Sequence, residues 1–405
     1  MELTKGVKSR CIATPPTNRY IATPYRKWGI GNRKSEVSGL SSGVVPSEVS
    51  RISLPPTSAF PLPTLMLLFL LGVLSACTPE PTQIEPAFYH WQTELNIDST
   101  EQGYLKALDA RRLYVKFFDV AWNEANNEAT PQASLERVGE RADYEIVPTV
   151  FITNQTMLEL PATQRAALAD RVLQKIKELW PGLEPVEIQL DCDWTERSRE
   201  AYFQLLELVR ERLPLTTKLS VTLRLHQYRY PEQTGIPPAD RAMLMFYNMG
   251  DLTDWQESNS ILNLEKAKPY LQTTAAYPLP LDFALPIFNW GVLFRKGKMI
   301  KLMPGLTAKA LLDIDAIPLE QEGGHRFEIT KSTYLEGYYL YRGDQLRLET
   351  IRPQQLEAAA QLLRDHATGE KAYLSFYHLD STLISSFPVA DLQKCLKTLR
   401  SLTNE

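Results

Sequence analysis

The chain of 405 residues has only four cysteines, five histidines, no apolar run long enough to span a bilayer unaided and no glycine-rich phosphate loop. Each shortage excludes something. Cys11, Cys77, Cys192 and Cys395 show no metal-type spacing with one another or with histidine. Cys192 and Cys395 suit small buried hydrophobes better than halves of a bridge. Without a phosphate loop after the first strand or later, no nucleotide site is expected, and neither a cofactor nor a metal is called for. The net charge of −4 hides an asymmetry, because residues 1–65 hold nine Lys/Arg and three Asp/Glu and leave a net acidic body. Such a body argues against nucleic acid as the main partner. With 44% hydrophobic and 10% aromatic residues, the chain can bury a large core of one or two domains.

What the chain does contain is organised around residues 186–195, Val-Glu-Ile-Gln-Leu-Asp-Cys-Asp-Trp-Thr. Val186, Ile188 and Leu190 alternate with Glu187, Gln189 and Asp191, and Asp193 continues the polar set. Gln189, Asp191 and Asp193 therefore share one face of a strand. A long amphipathic helix over 196–212 follows directly, which places an acid pair at the carboxyl end of a βα unit, where α/β folds keep their chemistry.

In chain order the patterns predict strands at 88–95, 113–122, 145–154, 186–195, 218–228, 241–249, 281–294 and 372–379. Helices are predicted over 99–111, 161–180, 196–212, 262–273, 353–366 and 389–402, with a short one around 133–141. Residues 326–351 read as inserted antiparallel strands turning at Arg342-Gly343-Asp344. Eight strands with mostly helical crossovers predict an α/β fold, a (β/α)8 TIM-type barrel over 87–403 with a β-rich insertion at about 295–351 before the last strand. A doubly wound open sheet is the alternative.

Candidate site residues follow from strand ends. Asp191 and Asp193 are the candidate catalytic pair; equally, Arg224 and His226 on the neighbouring strand could neutralise them in a satisfied interior network. Glu94 ends the first strand on the face of His90 and Gln92, and Asp119 ends the second. Tyr247 and Asn248 end the sixth strand, Trp290 lies on the seventh, and His378 and Asp380 finish the eighth. Each can contact a polar ligand or serve packing and loop geometry. Trp194, opposite the aspartates in the alternation, can stack on a ligand or pack between helix and sheet. The Arg-Gly-Asp tripeptide reads as a turn.

The run Leu190-Asp191-Cys192-Asp193-Trp194-Thr195 resembles the fourth-strand motif of family-18 glycoside hydrolases, the chitinase-like barrels, whose pattern is Asp-x-Asp-x-Glu. Asp191 and Asp193 fall on its last two aspartates, and Thr195 stands where its acid glutamate should be. Met245-Phe246-Tyr247-Asn248 is similar to that family's sixth-strand pattern, and Phe376-Tyr377-His378-Leu379-Asp380 lies where its eighth strand presents an aromatic platform. With Arg224-Leu225-His226-Gln227, these runs also resemble an uncharacterised bacterial barrel family related to glycosidases, a likeness that brings no activity. The resemblance implies a glycan or oligosaccharide as partner. In the family a protonated carboxylic acid donates to the glycosidic oxygen while the substrate's acetamido group attacks. Threonine cannot be that acid. Either Asp193 or Glu196 takes the role, with Asp191 as electrostatic partner, or the barrel only binds glycan, or it is a structural lipoprotein without a small ligand.

All of these readings take in Leu74-Ser75-Ala76-Cys77 after the apolar run 65–73, which resembles the lipobox of bacterial lipoproteins. That resemblance implies lipid attachment at Cys77, removal of everything before it, and a membrane-anchored monomer in the cell envelope. Thr78 is not the Asp that often retains such proteins at the inner membrane, which favours the outer. About 60 residues precede the apolar run, more than a signal of this kind carries, and residues 1–64 read as a disordered extension or an overlong gene start. Residues 78–86 read as a proline-rich tether.

Overall fold

The computed structural model describes residues 82–137, 144–272, 276–319 and 325–400. The expectations for residues 1–64, for the lipobox with Cys77 and for the start of the tether lie outside the described residues. No helix among the described residues is long and apolar enough to cross a membrane.

Eight strands close into a parallel barrel. In chain order they are Gln83–His90, Arg112–Asn123, Glu145–Ile152, Glu187–Asp191, Lys218–Leu223, Arg241–Met245, Leu281–Pro286 and Lys371–Tyr377, called here the first to eighth strands. Each pairs in parallel with its neighbours in sequence, and the first pairs with both the second and the eighth, so no edge is left open. This is the (β/α)8 barrel that the alternation predicts. Parallel neighbours need crossovers, and helices such as Arg165–Leu179, Arg199–Arg212 and Pro353–Leu363 supply them, while Val389–Arg400 follows the last strand; the apolar faces of all four are buried.

The first strand starts at Gln83, so the last part of the expected tether belongs to the barrel. In place of the short helix around 133–141 there is a strand, Glu128–Gln132, antiparallel to the second, and a two-residue bridge, Glu136–Arg137; residues 138–143 fall outside the description. The fifth strand stops at Leu223 rather than 228. Arg224 takes extended N-cap geometry, the Gln227 side chain accepts its backbone N–H at 2.7 Å, and Leu225–Arg229 turns into a helix. The seventh strand ends at Pro286, with the Ile287 N–H still donating to the Tyr377 carbonyl at 2.7 Å.

Between the seventh and eighth strands lies the insertion, beginning at Trp290. Its five-stranded antiparallel sheet runs in the order Lys298–Pro304, Trp290–Arg295, Gln345–Glu349, Arg326–Glu328, Ile317–Pro318. A separate hairpin, Thr333–Leu335 with Tyr338–Leu340, turns at Glu336-Gly337, both in left-handed conformation, as a two-residue primed turn requires. Arg342-Gly343-Asp344 does form a turn, closed by Asp344 N–H on the Tyr341 carbonyl at 2.9 Å, but it leads from this hairpin into the sheet rather than joining two paired strands. Leu293, Met303, Leu306, Leu311, Phe327, Leu340 and Leu346 give the insertion its own core, apart from that of the barrel.

Candidate active site

The fourth strand measures the barrel interior from one end to the other. Ile188, Leu190 and Cys192 face the helices and are buried, while Glu187, Gln189 and Asp191 point inward at period two. Glu187 lies at the amino end, its carboxylate 2.7 Å from Arg112 Nη1. Gln189 occupies the middle, accepting from Tyr89 Oη at 2.6 Å and donating to Ser220 Oγ at 3.4 Å. Asp191 is near the carboxyl end, and Asp193 continues past the strand to the rim.

The two candidate catalytic carboxylates are held differently. Asp193 is clamped by Arg224, Nε to Oδ1 at 2.5 Å and Nη2 to Oδ2 at 3.0 Å, a bidentate pair. Burial raises its pKa, but the charge and hydrogen bonds of Arg224, with His226 beyond, outweigh that and hold it below the ordinary carboxylate value. The pair still opens to solvent: the Asp193 side chain is 44% exposed and that of Arg224 28%. Asp191 is buried, accepts from Thr222 Oγ1 at 2.6 Å, and is pushed up to about 6 by burial and by the charge of Asp193. Burial and a like charge are what keep a carboxyl protonated near neutrality. In this environment the carboxyl that takes up a proton more readily is Asp191, and its neighbour Asp193 stays ionised.

Thr195 is exposed, and its backbone N–H donates to Ser198 Oγ at 2.9 Å in the turn that leads to the following helix. Glu196 is exposed in the same turn, the helix starting only at Arg199. Trp194 is fully buried in the outer layer, stacked on Tyr202 at 5.3 Å, with Nε1 donating to the Thr234 carbonyl at 2.9 Å. Its role is packing.

Around the aspartates lies a connected set of aromatic rings. Tyr377, ending the eighth strand, has its centroid 5.1 Å from Tyr247, 5.6 Å from Tyr89, 5.7 Å from Trp91 and 5.8 Å from Phe288. Phe288 continues to Trp290 at 5.2 Å, and the Arg224 guanidinium lies 6.0 Å from the Tyr247 ring centre. Tyr377, Trp91 and Trp290 are only partly buried. Trp290 belongs to the insertion rather than the seventh strand, and its Nε1 donates to Glu349 Oε2 at 2.9 Å. The same carboxylate oxygen accepts from Ser260 N at 2.8 Å and Oγ at 2.5 Å, joining the loop after the sixth strand to the insertion.

The remaining expected residues divide. Asp119 is buried on the second strand, 3.0 Å from Lys116 Nζ, and burial raises its pKa against the pull of Lys116. Its charge reaches Asp191, so it belongs to this end of the barrel. His226, on the helix after the fifth strand, acts on Asp193 through its charge. It therefore does not lie on the fifth strand, where the alternation placed it. Glu94 sits exposed on a two-residue strand beside Glu136, beyond the end of the first barrel strand. Asn248 is exposed at φ 57°, a left-handed turn that asparagine tolerates, and serves the exit of the sixth strand. Asp380 caps the helix Ser381–Ile384 and accepts from Gln92 Nε2 at 2.8 Å. His378 follows Tyr377, and burial lowers its pKa.

Sequence reading passed over Lys116, Trp91 and Phe288, and used Tyr377 only through resemblance. The signal for two of them was present: Trp91 continues the inward set Ala87, Tyr89 by two residues, and Lys116 continues Arg112, Tyr114. Among the described residues no group of three or more His, Cys, Asp or Glu is placed to hold a metal ion.

No family model and no curated protein matches the chain. Among solved structures it is similar to the spore cortex-lytic enzyme SleL of Bacillus cereus, at 16% identity and TM-score 0.47 over 80% of this chain and 76% of that one. It is also similar to a chitinase of Chromobacterium violaceum, at 12% identity and TM-score 0.44 over 76% and 98% of the two chains. The family-18 chitinase ChiB of Flavobacterium johnsoniae follows at 11% identity and TM-score 0.40 over 78% and 94%.

Proposed function

We propose that the carboxyl end of the barrel binds a glycan. The observation that carries this is the run of rings from Trp91 through Tyr377 and Phe288 to Trp290, beside the solvent-reachable Asp193–Arg224 pair. Sugar rings offer apolar C–H faces and polar edges. Aromatic faces receive the first, and a charged pair with lone pairs and N–H groups to spare receives the second. Titrating purified protein with oligosaccharides from an array tests this, with Tyr377→Ala run in parallel; binding that ignores the loss of Tyr377 contradicts it.

A second reading, hydrolysis of that glycan, is favoured by the state of Asp191. A carboxyl raised to about 6 beside an ionised one is equipped to give a proton at neutral pH. Asp193, held ionised by Arg224, orients or stabilises the substrate group that attacks. Turnover of chromogenic glycosides decides it: Asp191→Asn abolishes hydrolysis and spares binding. An Asp191→Asn protein with full turnover sinks this reading and leaves the first intact. In this proposal the protein is a lipid-anchored monomer of the cell envelope, bearing acyl chains on Cys77, which radiolabelled palmitate and a Cys77→Ala variant would check.

A further inference from the structure

The outward face of the hairpin in the insertion has no packing task, yet it is built of tyrosine. Tyr334 and Tyr339 are directly opposed across the two strands, with ring centroids 4.9 Å apart, and Tyr341, two residues on, lies 4.9 Å from Tyr339. They are 70%, 37% and 50% exposed. Alternation accounts for the other face, since Leu335, Tyr338 and Leu340 turn inward onto the core of the insertion. A solvent face of a hairpin is ordinarily polar, and three adjoining exposed rings there mark a contact surface.

The surface is held in place, and exposed cations adjoin it. Asp344, buried, takes both Arg295 Nε and Nη2 at 2.8 Å and accepts the Tyr341 backbone N–H at 2.8 Å. The Arg295 guanidinium lies 4.2 Å from the Tyr341 ring centre. Lys331 and Arg342 are exposed and lie close together beside Tyr341, since the Arg342 backbone N–H donates to Ser332 Oγ at 2.9 Å. Trp290 pairs with Glu349 at the barrel end of the sheet and Phe294 with Gln345 at the other. The Arg295 end is thus about 17 Å along the strand from Trp290, at roughly 3.4 Å per residue, and this patch is separate from the rings at the barrel mouth.

We infer that the outward face of this hairpin is a second carbohydrate contact, one that takes a polysaccharide bearing carboxylate groups. Tyrosine faces receive the sugar rings, and Lys331 and Arg342 receive the acid groups. Tyrosine alone, with its hydroxyl, fits a wet polar polymer better than a lipid surface, for which Trp, Phe and Leu supply deeper apolar anchors. Nothing in this inference requires the barrel mouth to bind.

The test uses the full chain with hyaluronate as the carboxylated polymer, dextran as the neutral one, and vesicles containing phosphatidylglycerol. Wild type is expected to bind hyaluronate more tightly than dextran. Tyr334→Ser/Tyr339→Ser is expected to weaken that binding about tenfold while the melting temperature stays unchanged, since both rings are exposed. Lys331→Gln/Arg342→Gln is expected to flatten its salt dependence, and Tyr377→Ala to leave it intact. Three results would overturn the inference: no binding of hyaluronate by wild type, equal binding by the tyrosine variant, or tyrosine-dependent binding to vesicles in place of hyaluronate.

Discussion

The two ends of the barrel are made of the same residue types and do opposite things with them. At the amino end, Arg241 grips Asp282 through Nε at 2.6 Å and Nη2 at 2.5 Å, Asp282 also accepts the Tyr373 backbone N–H at 2.7 Å, and Arg112 bonds Glu187 and Glu145. Arg112 and Arg241 both lie against the Tyr373 ring, at 4.0 and 5.1 Å. Arg112, Glu187, Arg241 and Asp282 are all buried, so this end is a plug of interior ion pairs, in which Arg112 Nε and Glu187 Oε1 are left without a hydrogen-bond partner. At the carboxyl end the Arg224–Asp193 pair has equally good geometry but remains in reach of solvent, with rings around it and Asp191 below. An arginine–carboxylate pair is therefore no marker of function by itself; what its free edges face decides.

That difference can be broken most sharply by removing one partner at each end. Asp282→Ala strands Arg241 in the interior and is expected to cost about 3–5 kcal/mol in urea unfolding, whereas Asp193→Asn at the rim should cost about 1 kcal/mol or less. Replacing both partners, Arg241→Met with Asp282→Leu, should recover most of the loss, because the pair contributes mainly by avoiding an unpaired charge. Equal costs at the two ends would erase the distinction.

The next effect is on pH dependence. The folded state raises Asp191 to about 6, well above the ordinary carboxylate value near 4. The folded protein thus binds this proton more tightly than the unfolded chain. Stability from this group is present in acid and is lost as pH rises from about 4 through 6. Asp191→Asn should accordingly be more stable than wild type at pH 7, by on the order of 2 kcal/mol, and the difference should vanish near pH 4. Urea midpoints at the two pH values measure it. Asp193 runs the other way: its stabilising pairing with Arg224 is present above the unfolded carboxylate value and fades as pH falls through its lowered folded one.

Smaller effects belong to the rings. Trp91→Ala is expected to weaken glycan binding by about 1 kcal/mol, read by calorimetry, with little change in melting temperature because Trp91 is only partly buried. Glu349→Gln keeps an acceptor for Trp290 Nε1 and Ser260 but strips the charge that Arg347 Nε meets at 2.7 Å. It should loosen the insertion, as seen by proteolysis, before it alters the barrel.

Much of this was legible in the sequence. The eight strands and the place of the insertion follow from alternation and crossover length, and the inward face of the fourth strand follows from period two alone. What could not be read was where a strand stops. Arg224 and His226 continue the alternation of the fifth strand on paper, yet the Gln227 side chain caps the backbone at Arg224 and turns the next residues helical. Glu94 misled for the same reason, since the first strand starts at Gln83 and has ended by His90. Nor does the order of residues reveal that Arg224 would choose Asp193 over Asp191. That choice depends on the position of an N-cap, and it bears on which carboxyl takes up a proton at the higher pH.

The central claim is that the carboxyl end of the barrel is a glycan site and the amino end a structural plug. The most direct measurement is a glycan array probed with wild type, Trp91→Ala/Tyr377→Ala and Arg241→Met/Asp282→Leu. The account predicts a discrete set of glycans bound by wild type, kept by the plug variant and lost by the ring variant. A wild type that retains no glycan, or a ring variant that binds as wild type does, would contradict it.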